Sequence, residues 1–178
     1  HGLGVVGGGC GSAAQWGVVP DIQMGTLSKA VGSYGGYVAA SRAVVDLLIN
    51  RARSLIYATA LPPSVVGASI AGVDIIATDK ALCAKPLTHA RAFAAAVGLA
   101  EPQSAIVPVI LGSSEVALDA SRRLEARGFL VTAIRPPTVP EGTARLRITF
   151  AADHARDDVL HLAEAVRDCV LPLTRVHR

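Results

Sequence analysis

The stretch Met24-Gly-Thr-Leu-Ser-Lys29-Ala-Val-Gly-Ser-Tyr-Gly-Gly-Tyr37 places one lysine between two hydroxyl-bearing residues and a run of glycines. Lys29 is one of three lysines in 178 residues, and the quoted stretch contains no acidic residue. Glycines let another group approach the backbone closely. A lysine in apolar surroundings loses its proton more readily and becomes a nucleophile, as an aldehyde cofactor needs for a Schiff base. The alternative is an ordinary lysine on a surface turn.

Short strands are predicted on both sides of Lys29. Residues 21–26 alternate in polarity and predict one strand, and residues 35–40 predict the next. A helix is predicted over residues 41–53, where Ser41 is a suitable N-cap. Residues 55–59 predict a buried strand, which Leu61-Pro-Pro63 ends.

A long helix is predicted over residues 64–80. Its apolar residues are too numerous for one narrow stripe, which predicts burial on most sides, between two lobes or at a subunit interface. The segment from Cys83 to Pro86 is expected to break this helix, and a second helix is predicted over residues 87–98.

The pattern changes from residue 104 and predicts a compact α+β lobe of order β-α-β-β-α over residues 104–170. Strands are expected at 105–111, 129–134 and 145–150, helices at 113–127 and 155–170, and a proline-stiffened loop at 135–142. Pro108 indicates that the first strand is at an edge or contains a bulge. Ser113 or Ser114 is expected to cap the first helix, and Gly128 to end it.

Composition excludes several classes of function. The chain is 51% hydrophobic, but no apolar run reaches the roughly 18 residues of a membrane span. The net charge of +3 comes from dispersed arginines, and aromatic residues make up only 4%, which disfavours nucleic-acid binding. The three cysteines lie far apart without a CxxC spacing, so neither a disulfide framework nor a zinc site is indicated and a reducing cytoplasm is expected.

The chain begins with His1-Gly-Leu-Gly rather than with methionine, and we expect it to be a C-terminal piece of a longer protein. Gly2-x-Gly4-x-x-Gly7 matches a dinucleotide-binding fingerprint by pattern. Further glycines follow it and no strand precedes it, so a glycine-rich loop is the favoured interpretation. A nucleotide-binding module that takes NAD is the alternative.

Three groups of residues have the composition of a binding site. Thr26 stands three residues before Lys29, where its hydroxyl could bind a phosphate near the amine. Arg135-Pro-Pro-Thr138 presents a guanidinium on a stiff loop, suited to bidentate carboxylate binding. Thr59 ends a predicted strand and could contact a phosphate. The alternatives are a solvated arginine and a hydroxyl satisfied by the backbone. Arg145 and Arg147 alternate along a strand and are expected on a solvated face or in structural ion pairs, and the histidines show no metal spacing.

Three blocks of sequence resemble the α-oxoamine synthase family, whose members depend on pyridoxal 5'-phosphate (PLP) and have fold type I. The blocks are Thr26-Leu-Ser-Lys29 with Gly35-Gly-Tyr37, Tyr57-Ala-Thr-Ala-Leu-Pro-Pro63, and Ala133-Ile-Arg-Pro-Pro-Thr-Val-Pro-Glu-Gly-Thr-Ala-Arg-Leu-Arg147. The resemblance implies an α/β chain: residues 1–63 as the C-terminal part of the PLP-binding large domain, 64–82 as a linking helix, and 83–178 as the C-terminal small domain.

The same resemblance implies roles for residues at the cofactor. Lys29 would form the Schiff base and shuttle the Cα proton, and Thr26 would bind the phosphate. His1 would contact the phenolic oxygen. Thr59 would contact the phosphate across the interface of a homodimer with a shared active site.

At the substrate, Arg135 would hold the amino-acid carboxylate and Thr138 would contact the substrate. The proline block favours members of the family that condense L-alanine with a pimeloyl thioester, on CoA or acyl carrier protein, in biotin biosynthesis. Glycine C-acetyltransferase and 5-aminolevulinate synthase types are alternatives. The aspartate that binds the pyridine nitrogen in this family would lie before residue 1, so the piece alone is expected to have little or no activity. A non-catalytic remnant acting by association is a further alternative.

Overall fold

The Lys29 stretch forms a turn between two short antiparallel strands in the computed structural model, which describes residues 2–176. Strand β1 (Ile22–Thr26) pairs with β2 (Gly36–Ala40) in a register that sets Ile22 opposite Ala40 and Thr26 opposite Gly36. Residues 27–35 therefore leave and re-enter the ladder as one turn. The strands predicted at 21–26 and 35–40, and the place of Lys29 between them, are confirmed.

The glycines near the start of the chain form a self-contained loop. Gly7–Gly9 is a 3₁₀ turn, Leu3 forms a bridge with Cys10, and helix α1 (Ser12–Gln15) follows. The N–H groups of Val5 and Val6 both bond to the carbonyl of Gly2, at 3.0 Å. These donors are used within the loop, and the residues at Gly7–Gly9 form a 3₁₀ turn rather than the start of an α-helix, which confirms the loop interpretation.

The next segment is helical where a strand was predicted. Helix α2 (Arg42–Arg51) follows Ser41 as expected, but α3 (Arg53–Ile56) occupies part of the predicted strand at 55–59. The N–H groups of Leu55 and Ile56 both bond to the carbonyl of Ala52, at 2.9 Å, so the backbone pairs locally and not with a neighbouring strand. A short apolar run fits a helical turn as well as a strand, which is why its periodicity misled.

Helix α4 (Pro63–Thr78) begins with Pro63 in its first turn, where the missing N–H needs no partner. The helix was predicted to be buried on most sides, and this is wrong within the described chain. Ser69 is its one buried residue, whereas Ile70 remains 59% exposed. Apolar composition predicted burial, but burial requires atoms on each side of the helix.

Helix α5 (Lys80–Val97) runs through the segment that was expected to break it, with Pro86 inside. Its start was missed: Asp79 Oδ1 accepts the N–H of Leu82 at 2.8 Å, a side-chain cap. Its predicted end is confirmed, since Gly98 takes a positive φ of 73° just beyond the last turn. The buried side chain of Phe93, on the part of the helix beyond Pro86, packs into a core, and tertiary packing outweighs the local preference of proline.

The chain divides into two compact units, one ending at Ala84 and the other beginning at Lys85. After α5, the second unit contains β3 (Ile106–Gly112), α6 (Ser114–Glu125), β4 (Thr132–Ile134), β5 (Ala144–Thr149), α7 (Arg156–Cys169) and α8 (Leu171–Val176). The strands form an antiparallel sheet of order β3-β5-β4. The predicted β-α-β-β-α lobe is confirmed, with Pro108 on an edge strand and a bulge near its end. The strand predicted at 129–134 is shorter, since only Thr132–Ile134 pair with β5.

One face of this sheet forms the core of the second unit. Leu146 and Ile148 on β5 point into it, and the rings of Phe93 and Phe150 lie 5.4 Å apart. Ser113 caps α6 by accepting the N–H of Val116 at 3.2 Å, as predicted. The side chains that point to the opposite face of the sheet are more exposed, as the alternating burial along β3 and β5 shows.

Candidate active site

Two hydroxyl groups meet at the end of β1, immediately before Lys29. Thr26 Oγ1 lies 2.7 Å from Ser28 Oγ, accepts the N–H of Ser28 at 3.2 Å and donates to the carbonyl of Gly35 at 3.3 Å. The sequence identified Thr26 as a site residue but gave Ser28 no role. Hydroxyls two residues apart at a strand end are the sequence signal for such a pair.

Lys29 itself is exposed to solvent. The apolar surroundings expected from its neighbours are therefore not present in this structure, and this expectation is wrong for the described chain. Among residues 2–176, no ion pair or hydrogen bond engages the side-chain amine. The amine is free to react or to bind an anion.

The turn that carries Lys29 has a closed hydrogen-bond pattern. The N–H of Leu27 bonds to the carbonyl of Gly35, and the N–H of Ser33 bonds to that of Leu27, both at 2.9 Å. The N–H of Gly32 bonds to the carbonyl of Lys29 at 2.9 Å. These bonds fix the backbone of the turn, whereas the side chain of Lys29 extends into solvent.

Thr59 lies in the segment between α3 and α4 and is exposed. It does not end a strand, in contrast to the prediction from which its role was first argued. The guanidinium of Arg53 stands 5.7 Å from the centroid of the Tyr57 ring, which orders the start of this segment. His1, the remaining candidate cofactor residue, lies outside the described residues.

Arg135 and Thr138 occupy one turn of the second unit, directly after β4. The N–H of Thr138 bonds to the carbonyl of Arg135 at 3.0 Å, and both side chains are exposed. Further along the same loop, Thr143 Oγ1 donates to the carbonyl of Pro140 at 2.6 Å. The structure therefore brings Arg135 and Thr138 together on a stiff turn, as the sequence predicted.

Arg145 and Arg147 lie on the outward face of β5, as their alternation predicts. Arg145 Nε donates to the carbonyl of Thr143 at 2.8 Å, and no ion pair among residues 2–176 involves either arginine. Arg147 lines a groove of about 360 Å³ together with Thr132, Thr149 and His154. Sequence reasoning missed this groove because it depends on the pairing of Thr132 with Arg147.

The histidines of the second unit have surroundings that the sequence did not indicate. Burial, followed by the positive charges of His154 and Lys85, lowers the pKa of His89. His154 Nδ1 accepts the N–H of Ala151 at 3.2 Å.

Within the described residues, no group of three or more histidine, cysteine, aspartate or glutamate side chains could hold a metal ion. In residues 2–176, every helix is too short or too polar to cross a bilayer.

The profile of the family described as aminotransferase class I and II matches residues 4–166. The 8-amino-7-oxononanoate synthase of Methylocella silvestris is 63% identical over 171 residues, which is 96% of this chain and 49% of that protein. The 8-amino-7-oxononanoate synthase of Maricaulis maris is 59% identical and covers 94% of this chain and 43% of its own length. The chain spans about half the length of the curated relatives it matches.

Solved structures show the same fold. The serine palmitoyltransferase of Sphingomonas wittichii has a TM-score of 0.89 at 27% identity, over 99% of this chain and 46% of that one. The 8-amino-7-oxononanoate synthase of Francisella tularensis has a TM-score of 0.80 at 24% identity, over 94% of this chain and 52% of that one. These matches confirm the predicted fold class, part of an α/β transferase of fold type I.

Proposed function

We propose, because this chain belongs to the class I and II aminotransferase family, that it forms part of a PLP-dependent acyltransferase. The proposed reaction condenses L-alanine with a pimeloyl thioester, releases CO₂ and the thiol of the carrier, and gives 8-amino-7-oxononanoate for biotin biosynthesis in the cytoplasm. The observation that carries the proposal is Lys29, an exposed amine on a fixed turn that begins with two hydroxyls 2.7 Å apart. The names of relatives that match 94–96% of the chain support the same reaction.

The residues of the Lys29 turn fit PLP at two points. A phosphate needs hydrogen-bond donors, and Ser28 offers a hydroxyl next to that of Thr26, whose hydrogen would turn from the carbonyl of Gly35 to the phosphate. An aldehyde needs an amine that is not engaged elsewhere, and Lys29 offers one. When bound, PLP supplies an electron sink for negative charge at the Cα of the amino acid.

Lys29 has two tasks in this proposal. Its Nζ would hold PLP covalently through the aldehyde of the cofactor. As a free amine beside the bound amino acid, it would accept the proton from Cα as a general base. Both tasks require a neutral amine at the moment of reaction.

The other candidate residues have the roles that the resemblance to the family implies. Arg135 binds the carboxylate of L-alanine through two parallel hydrogen bonds, and Thr138 contacts the substrate from the same turn. Thr59 contacts the phosphate of the PLP that is bound to the second copy in a homodimer. His1 contacts the phenolic oxygen of PLP. The thioester is carried by CoA or by acyl carrier protein.

Covalent labelling of the complete gene product that contains this chain tests the role of Lys29. The protein is incubated with PLP, its absorbance is recorded, and borohydride then fixes any covalent bond for peptide mass spectrometry. We expect the label on Lys29, its loss in Lys29→Ala, and its retention in Lys85→Ala, a matched exposed lysine. A reducible absorbance band that survives Lys29→Ala would refute the proposal.

A second candidate function is that of a related synthase with another amino acid as donor. The similarity to serine palmitoyltransferase favours this candidate, since that structure covers 99% of the chain. Product formation from pimeloyl-CoA with L-alanine, L-serine and glycine, followed by mass spectrometry, separates the two. We expect L-alanine to give the highest kcat/KM, whereas a preference for serine or glycine would favour the alternative.

We also propose that residues 1–178 alone have little or no synthase activity, because the matched relatives are about twice as long. The chain and the complete gene product are compared at equal concentration with saturating PLP, L-alanine and pimeloyl-CoA. Formation of 8-amino-7-oxononanoate by residues 1–178 at a comparable rate would overturn this expectation.

A further inference from the structure

We infer that one face of α4 positions the turn that carries Lys29, with Ser69 and Gly72 as the positioning residues. This inference rests on the proposed function of Lys29. The face, called here the α4 clamp, consists of Val65, Ser69, Gly72 and Ile76. These residues are spaced by four, three and four positions and so lie along one side of the helix.

Hydrogen bonds between hydroxyls form the first contact of the clamp. Ser69 is 7% exposed, and its Oγ lies 2.8 Å from Ser33 Oγ on the turn and 2.8 Å from the carbonyl of Val65. Ser33 Oγ donates to the same carbonyl at 2.9 Å. A hydroxyl has one hydrogen. The two serines therefore have two hydrogens for these three contacts, and Ser69 donates either to Ser33 Oγ or to the carbonyl of Val65. Removing either hydroxyl leaves fewer bonds between the turn and the helix.

A close backbone approach forms the second contact. A Cβ at Gly72 would lie 2.7 Å from the carbonyl oxygen of Val31 and 2.9 Å from Val31 Cγ1, distances that only glycine permits. Val31 is 7% exposed and is thus buried against the helix. The turn is therefore held at Val31 and at Ser33, two and four residues beyond Lys29.

The third contact involves Ala30, the residue directly after the lysine. A Cβ at Gly4 would lie 2.7 Å from Ala30 Cβ and 3.3 Å from Ile76 Cδ1. Ala30 and Ile76 thus share the space beside the backbone of Gly4. Positions 30, 31 and 33 each have a fixed neighbour, although Lys29 has none.

These contacts matter for reactivity because the lysine side chain has no partner of its own. The backbone of the turn sets the position from which the lysine side chain extends. An amine that is already held in the correct geometry reacts faster, because its translational and rotational freedom is restricted before the reaction. The clamp is thus expected to determine how often Nζ meets the aldehyde carbon. It leaves the chemistry of the amine unchanged.

The test compares Ser69→Ala with Ser64→Ala, an exposed serine of the same helix, in the complete gene product. Amide hydrogen exchange at Gly32 and Ser33 without PLP reports the clamp. The rate of the covalent step with PLP reports positioning: Nζ attacks the aldehyde carbon, a C=N bond replaces C=O, and water leaves. For Ser69→Ala we expect exchange about 5-fold faster and the covalent step about 5-fold slower, the loss of one hydrogen bond, with no change in Ser64→Ala.

The two readouts separate the possible failures. Unchanged exchange in both Ser69→Ala and Ser33→Ala would show that the clamp does not hold the turn, which overturns the inference. Faster exchange with an unchanged covalent rate would overturn the positioning role, while loss of the adduct in Lys29→Ala upholds the function of the lysine. An adduct that persists in Lys29→Ala would overturn the proposed function and, with it, the positioning role.

Discussion

Replacing Gly72 with alanine tests whether the turn packs against α4 as closely as the structure indicates. The matched control is Gly67→Ala, in the same helix, where an added Cβ meets no atom within 4 Å. Both substitutions gain the helix propensity of alanine over glycine, about 1 kcal/mol. Only Gly72→Ala places a Cβ 2.7 Å from a backbone carbonyl, that of Val31.

The magnitude follows from these two contributions. Overpacking a closed contact costs roughly 1–3 kcal/mol, and the atom in the way is backbone, which cannot rotate aside. Gly67→Ala should therefore raise the free energy of unfolding by about 1 kcal/mol. Gly72→Ala should leave it unchanged or lower it by up to about 2 kcal/mol. The two variants should differ by about 1–3 kcal/mol.

Urea denaturation, followed by circular dichroism at 222 nm and by fluorescence, measures the difference. Trp16, the one tryptophan of the chain, lies in the same unit as α4 but is 67% exposed, so circular dichroism is the primary measurement and fluorescence is the comparison. The m-value should remain constant if only stability changes. Equal stabilisation of Gly72→Ala and Gly67→Ala would refute the close approach, because a Cβ at position 72 would then fit without strain.

Two further predictions concern the second unit. Arg135→Lys should raise KM for L-alanine about 10-fold or more, because lysine cannot bind a carboxylate through two parallel hydrogen bonds. Arg147→Lys is the comparison, and its effect on KM should be smaller. A larger increase in KM for Arg147→Lys would place the carboxylate site in the groove on β5. The pKa of His89 is lowered in the folded chain from its ordinary value of 6.5. As the pH falls below 6.5, His89 therefore binds a proton more readily in the unfolded chain than in the folded one. Stability should therefore decrease from pH 7.5 to pH 5.5, by less in His89→Gln, and an identical decrease in both proteins, measured by urea midpoints, would contradict this assignment.

Local signals predicted the order of helices and strands in the second unit from residue 104 onward. Ser113 supplies a cap, Gly128 ends the following helix, and the residues 144–149 alternate so that Leu146 is buried and Arg147 is not. Each of these signals acts within a few residues and agrees with the packing of the unit. The turn at Lys29 was predictable for the same reason, because glycines and hydroxyls mark it locally.

The features that sequence reasoning missed depend on distant atoms. Pro86 indicates a break, but the helix continues because Phe93 beyond it is buried in a core. Apolar neighbours indicated a buried Lys29 and a buried α4, yet burial depends on what lies opposite each residue in space. The hydrogen bond between Ser33 and Ser69 joins positions 36 residues apart, and no local sequence pattern predicts it.

A second stripe of α4, about 100° around the helix from the α4 clamp, has a consequence for the handling of this chain in solution. Val66, Ile70 and Val73 are 43%, 59% and 47% exposed and lie four and three residues apart, on one apolar stripe. Such a stripe limits colloidal solubility at the concentrations that spectroscopy requires. Ile70→Lys introduces a charge on this stripe without altering Ser69 or Gly72, and so offers a more soluble background in which the other variants can be compared.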